Sequence, residues 1–192
     1  MLKMRHFITV ITLALLCCQA AFSQDIIPGY VTESKAAMLE ETKGLFLKVE
    51  NFERKVVAVN EVEIIPAMIT NIRTGEKTPY VIVKTKEEGT GIRYRSIIDY
   101  DEITSCIEAL EHIMTAEITS KPSNDVHVFI MTRDALEIGA RFENNAGVRR
   151  WKTTFTHGKY TTEPRTDILA RNIKKVIDQL ISAKEVLDEK LK

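Results

Sequence analysis

From about Lys43 the chain alternates apolar and polar positions with the period of a strand. Leu45, Leu47 and Val49 fall on one side, and Val56 to Ile72 continues as a long β-branched run interrupted by Pro66. The pattern predicts one strand followed by a bulged or broken second. Arg73 to Thr78, which contains Gly75, reads as a turn, after which Tyr80 to Lys86 alternates again. Glu87 to Gly91 is the next turn, and Gly91 to Ile98 supplies a strand with Ile92 and Tyr94 on one face and Arg93 and Arg95 on the other. The period then changes. Asp99 with Glu102 three residues on is a capping-box signature, and Ile103, Ile107, Leu110, Met114 and Ile118 draw one apolar stripe along a helix. Lys121 to Asp125, with Pro122, ends it.

The same order then returns. Val126, Val128 and Ile130 alternate, Leu136 to Phe142 forms a second strand, and Arg149 to Thr156 a third, with a turn at Asn144 to Gly147. Pro164 and Thr166 read as the start of a closing helix, whose apolar positions Leu169, Ile173, Val176, Leu180, Ala183, Leu187 and Leu191 recur every three or four residues. The expected fold class is α+β: an antiparallel sheet of six or seven strands built from two meander-plus-helix units, with the long helices packed on one face. The expected organisation is a single domain over 43–192, in halves of about 43–120 and 124–192. An N-terminal segment over 24–42 precedes it, with a short helix in Thr32 to Glu41.

Residues 1–23 read differently. Lys3 and Arg5 give a positive start, Phe7 to Cys18 an apolar stretch, and Ala20, Ala21 and Ser23 small residues near a cut, the pattern of a secretory signal peptide. The natural cut leaves Gln24 first; cutting after Ala21 also satisfies the rule. The run falls short of the roughly 18 to 20 apolar residues of a membrane-spanning helix, so no transmembrane segment is expected in the mature chain. Cys17 or Cys18 as an acylated N-terminus is the rival reading, but Leu16 or a second cysteine stands where such sites want a small residue. The expected localisation is therefore periplasmic or secreted, with lipid anchoring as the alternative.

The 192 residues are 44% hydrophobic, enough for a packed core, and carry 27 basic and 27 acidic side chains. Removing Lys3 and Arg5 with the leader leaves 25 basic against 27 acidic, a net charge of about −2. This near-neutrality disfavours a dedicated nucleic-acid binder. Cleavage leaves Cys106 as the lone thiol, which closes no intrachain bridge and is expected to be a partly buried small hydrophobe.

Candidate chemistry is sparse. His112, His127 and His157 lack the spacing of a metal site, and no cofactor motif is present. Asp99, Asp101 and Glu102 form the densest acidic cluster, but capping accounts for two of them and no glycine-centred calcium loop surrounds them. Arg93, Arg95, Arg141, Arg149, Arg150 and Lys152, the last of them interleaved with Trp151, Phe155 and Tyr160, form either a face for an anionic polymer or a solvated sheet with cross-strand ion pairs; the second is preferred in a neutral chain. A groove between sheet and helices is a further place for an apolar or glycan ligand.

SIIDYDEITSCIEALEHI at 96–113, and ALEIGARF at 135–142 followed by Trp151 and the closing helix, resemble a group of small exported proteins of uncharacterised function from Bacteroidota-type bacteria. That resemblance implies an exported bacterial protein and carries no catalytic residues. The repeated meander-plus-helix order also resembles the single-strand nucleic-acid-binding folds of the PUR and Whirly type. That implies a shared fold without its function, since a site is not inherited with an architecture. The expectation is an exported, non-enzymatic binding protein of the envelope or periplasm, its partner an envelope protein or a small ligand. The alternatives are a hydrolase with a site assembled from scattered residues and a lipid-anchored structural component.

Overall fold

The computed structural model describes residues 26–52, 62–87, 90–145 and 148–192. The expected leader with Cys17 and Cys18, the Val56 to Glu61 part of the long β-branched run, and parts of the turns at Glu87 to Gly91 and Asn144 to Gly147 lie outside them. Among the described residues the strands fall into two four-stranded antiparallel meanders. One contains β1 (Leu47–Asn51), β2 (Val62–Asn71), β3 (Lys77–Lys86) and β4 (Arg93–Asp99); the other contains β5 (Val126–Met131), β6 (Leu136–Asn145), β7 (Val148–His157) and β8 (Arg165–Leu169). Helix α1 (Lys35–Glu41) precedes the first sheet, α2 (Ile103–His112) follows β4, and α3 (Ile173–Leu191) follows β8. The fold is α+β, and each half is a meander followed by a helix.

The expected single sheet of six or seven strands is instead two sheets. One cause is β8. Pro164 and Thr166 predict a helix start over its sequence RTDIL, yet Thr166 and Ile168 turn into the core while Arg165 and Leu169 turn out. Five residues of alternation are too few to outweigh a helix-start signal. The other cause lies at the outer edge of β4, where free backbone groups would accept another strand. Side chains from the second half occupy them. Tyr160 Oη accepts from Arg95 N–H (3.4 Å) and donates to Arg95 O (3.0 Å). Asp134 Oδ2 accepts from Ile97 N–H (2.8 Å), and the Thr132 hydroxyl donates to Ile97 O (3.4 Å).

The helices do not share one face of one sheet either. α3 crosses β2 and β3 of the first sheet, whereas α2 lies against α3 and against β5 of the second, so each helix covers the sheet of the other half. The predicted stripe on α2 is buried at Ile103 and Leu110, with Cys106 between them, and the helix then widens into a π-turn over Ile113–Glu117 where Ile118 N–H reaches Ile113 O at 3.0 Å. On α3, Ile173, Val176, Leu180, Ala183 and Leu187 are buried as their spacing requires. Both helices meet Val81, Val83 and Ile98 of the first sheet and Ile138, Phe142 and Phe155 of the second in one continuous core. The space expected to form a ligand groove between sheet and helices is therefore filled by packed side chains.

α1 closes the outer face of the first sheet, seating Ala36, Ala37 and Leu39 on Ile69, Tyr80, Ile82 and Ile97. Its start is fixed from outside. The Ser34 hydroxyl accepts from Ala37 N–H (3.2 Å), while the Asp99 carboxylate accepts from the Ser34 hydroxyl (2.9 Å), Lys35 N–H (2.8 Å) and Ala36 N–H (3.1 Å). Asp99 and Glu102 also form the expected capping box, with Glu102 accepting from Asp99 N–H at 3.1 Å. The outer face of the second sheet has no helix over it among the described residues. No helix there is long and apolar enough to cross a membrane.

Candidate functional site

Polar chemistry gathers in three places. The first is the seam between β4 and the second half, where His157 stands fully buried although its neighbour Gly158 marks it in the sequence as a turn residue. The Ser96 hydroxyl lies 2.7 Å from its Nδ1 and the Thr85 hydroxyl 2.8 Å from its Nε2. A serine within reach of an imidazole has the outline of a nucleophile and its base. Ser96 and His157 are both 0% exposed, so a substrate has no approach to them, and burial together with the charge of Lys159 pushes the imidazole down to about 3. Such a ring joins two sheets; it does not collect protons near neutrality. Beside it Lys159 Nζ donates to the buried Asp134 Oδ2 at 2.6 Å, and the Thr32 hydroxyl donates to Asp134 Oδ1 at 3.2 Å.

The second is the acidic cluster. Asp99, Asp101 and Glu102 converge on Arg133, whose Nη2 pairs with Asp101 and lies 3.6 Å from Asp99 Oδ2, while its Nε is 3.4 Å from Glu102 Oε1. With Asp99 also holding the start of α1, these carboxylates are committed to joining elements. Among the described residues no three His, Cys, Asp or Glu side chains stand close enough to hold a metal ion. His112 is exposed near Glu117, and Cys106 is buried, its thiol pushed up to about 12 by burial and by the charge of Glu102.

The third is the open face of the second sheet, where strand register sets charged and polar side chains in rows. His127, Arg141 and Lys152 lie side by side across β5, β6 and β7, and Glu143 stands opposite Arg150. Lys152 Nζ reaches Glu143 at 3.3 Å and Asp167 at 3.0 Å, and Arg165 reaches the same carboxylates at 3.4 and 3.2 Å. The cross-strand ion pairs expected from the sequence are present for this part of the basic set. Elsewhere Arg95 forms a two-pronged pair with Glu40 of α1 (2.7 and 2.8 Å) and Arg93 lies 3.7 Å from Glu63, while Arg149 and Arg150 are exposed near the β6–β7 turn. The interleaved aromatics make no stacking surface. Phe155 is in the core, Trp151 packs on Phe142 and donates to Ser120 O (3.0 Å), and Tyr160 seals the edge of β4.

One end of this face opens into a cleft of 320 Å³ lined by Asp125, Val126, His127, Arg141, Glu143 and Asn144. Arg141 is weakly engaged there. Its Nη2 is 3.4 Å from His127 Nδ1, its Nη1 is 3.7 Å from Glu143, and its buried Nε has no partner among the described residues. Since Lys152 and Arg165 already neutralise Glu143, the guanidinium keeps donor capacity toward the cleft. His127 stacks on Phe129 with ring centres 4.5 Å apart, and its pKa is lowered by burial and by the charges of Arg141 and Arg165. Phe129 in turn crosses Gly139, where a Cβ would lie 2.0 Å from Val128 O. Sequence reading found Arg141 and His127 as residue types but not the cleft, because Asp125, Glu143 and Asp167 join them only through the pairing of four strands. Compared with known proteins, the chain matches no family model, and no curated protein is significantly similar to it.

Proposed function

We propose that this chain is an exported bacterial protein of the envelope or periplasm that works by binding, holding a small polar ligand with an anionic group on the open face of its second sheet. The observation that carries the reading is Arg141: a guanidinium held only at 3.4 Å by His127 and 3.7 Å by Glu143, lining a cleft on a face that no helix covers among the described residues. Planar bidentate recognition of a carboxylate, phosphate or sulfate is what such a fork does best. Asp125 and Asn144 on the same wall supply acceptors and donors for hydroxyl or amino groups of the ligand. The sealed state of the Ser96 and His157 pair favours binding over hydrolysis. Export rests on the leader pattern of residues 1–23.

Calorimetric titration with small carboxylates, phosphates and sulfated sugars tests the binding half. One class binds, and Arg141→Met weakens it about tenfold or more, as expected for the loss of hydrogen bonds to a charged group, with an unchanged circular dichroism spectrum. Equal affinity of wild type and variant overturns the reading. Mass spectrometry of the N-terminus tests export: a chain beginning at Gln24 or Phe22 supports release, an acylated Cys17 or Cys18 assigns the protein to the lipid-anchored class, and an intact Met1 chain in the cytosol overturns export.

A further inference from the structure

We propose that β5 is a pairing edge whose occupant is β5 of a second copy of this chain, joined antiparallel about a two-fold axis. Sheet edges offer unpaired N–H and C=O groups, and proteins guard them with charges, short lengths or cover. Among the described residues, three of the four sheet edges are guarded. β1 carries Lys48 and Glu50, β8 carries Arg165 and Asp167, and β4 is sealed by Tyr160, Asp134 and Thr132. β5 reads VHVFIM, with no Asp, Glu, Lys or Arg, and burial and the charges of Arg141 and Arg165 lower the pKa of its His127. Phe129 is 42% and Met131 56% exposed on its outer side.

The core is also unfinished along this edge. Val126, Val128 and Ile130 face inward yet are only half-buried, whereas Thr166 and Ile168 at the opposite edge of the same sheet are buried. α2 and its π-turn lie against β5, and their Ile107, Met114 and Ile118 are half-buried too. A foreign strand would satisfy the backbone but bring no cover for these helix residues. A second copy brings the same half-buried groups to meet them, the self-complementary arrangement of an isologous interface.

The register permits it. In an antiparallel pair, directly opposed residues share a face, so a two-fold axis must pass through a residue position. Placing Phe129 against its own copy sets Val128 opposite Ile130 and His127 opposite Met131, apolar or neutral at every step, and like charges nowhere face each other. Aromatic and β-branched cross-strand pairs are the stabilising kind.

Analytical ultracentrifugation of the purified protein at micromolar concentration tests this, with hydrogen exchange as the second measurement. Wild type sediments at twice the monomer mass and its β5 amides are protected. Phe129→Glu, which opposes two carboxylates across the axis, and Met131→Lys, which places the missing charge on the edge, each weaken dimerisation about tenfold or more while leaving the circular dichroism spectrum unchanged. A wild-type monomer throughout this range overturns the proposal, as does a dimer indifferent to both substitutions. So does a β5 edge that captures an extended peptide but not its own copy. The Arg141 titration is read separately, so either reading can fail alone.

Discussion

His157 offers the sharpest test of the seam between the sheets, because its protonation is coupled to folding. In the native chain the ring is fully buried between Thr85 and Ser96, and its pKa is pushed down from 6.5 to about 3 by burial and the charge of Lys159. In the unfolded chain it titrates near 6.5. Below that value the unfolded state binds a proton that the native state refuses. The stabilising effect of a neutral buried ring is therefore complete above about pH 6.5 and is lost progressively until the native ring itself protonates near 3. Each pH unit in this window costs about 1.4 kcal/mol, so lowering the pH to about 4.5 removes on the order of 3 kcal/mol through this one group. Urea unfolding followed by circular dichroism, at a series of pH values from about 7 to about 4.5, measures it in wild type and in His157→Gln. The glutamine keeps a donor and an acceptor but does not titrate. The variant starts less stable near neutrality, and its stability falls about 3 kcal/mol less over the series, because the carboxylates common to both proteins cancel in the difference. Parallel curves would mean that His157 is protonated or solvated in the native protein, and the reading of the seam would be refuted.

Gly139→Ala inserts a methyl group where Val128 O is 2.0 Å and Phe129 Cα 2.6 Å away, so β5 must shift. Overpacking of this kind costs about 1–3 kcal/mol, and because backbone atoms are struck the upper end is expected. At ~2–4 °C per kcal/mol for a domain of this size, thermal unfolding shows a melting temperature lower by roughly 6–12 °C; an unchanged value refutes the close approach. Lys159→Met leaves Asp134 buried without its cation and is expected to cost about 3–5 kcal/mol, measured by urea unfolding. Adding Asp134→Asn recovers part of that loss, and a double variant no better than the single one refutes direct pairing.

The meanders were legible because their period-two alternation is strong: β2, β3, β4 and β6 each set several apolar residues on a face that is buried. The α2 and α3 stripes were legible for the same reason at helical period. What local pattern could not supply is anything that depends on which elements meet. Asp99 forms the capping box of its own helix start that the sequence predicts, but its carboxylate also serves α1, more than sixty positions earlier in the chain, which no local pattern announces. His157 looked like a turn residue, since neither Thr85 nor Ser96 is near it in sequence. RTDIL was too short to declare itself a strand, and with β8 unread the second half lacked its fourth member. The cleft was illegible for the most general reason: His127, Arg141 and Glu143 become neighbours only once register is fixed, and register is a tertiary fact.

The exchange of helices between the halves has a consequence for synthesis. A nascent chain that has emitted its first meander carries Val81 and Val83 on a surface with no roof, because the roof, Ile173–Leu191, follows the whole second meander in the chain. Neither half can complete itself and wait for the other. Such an order of assembly leaves the first meander uncovered until the second has been made, so the two halves must close over each other together.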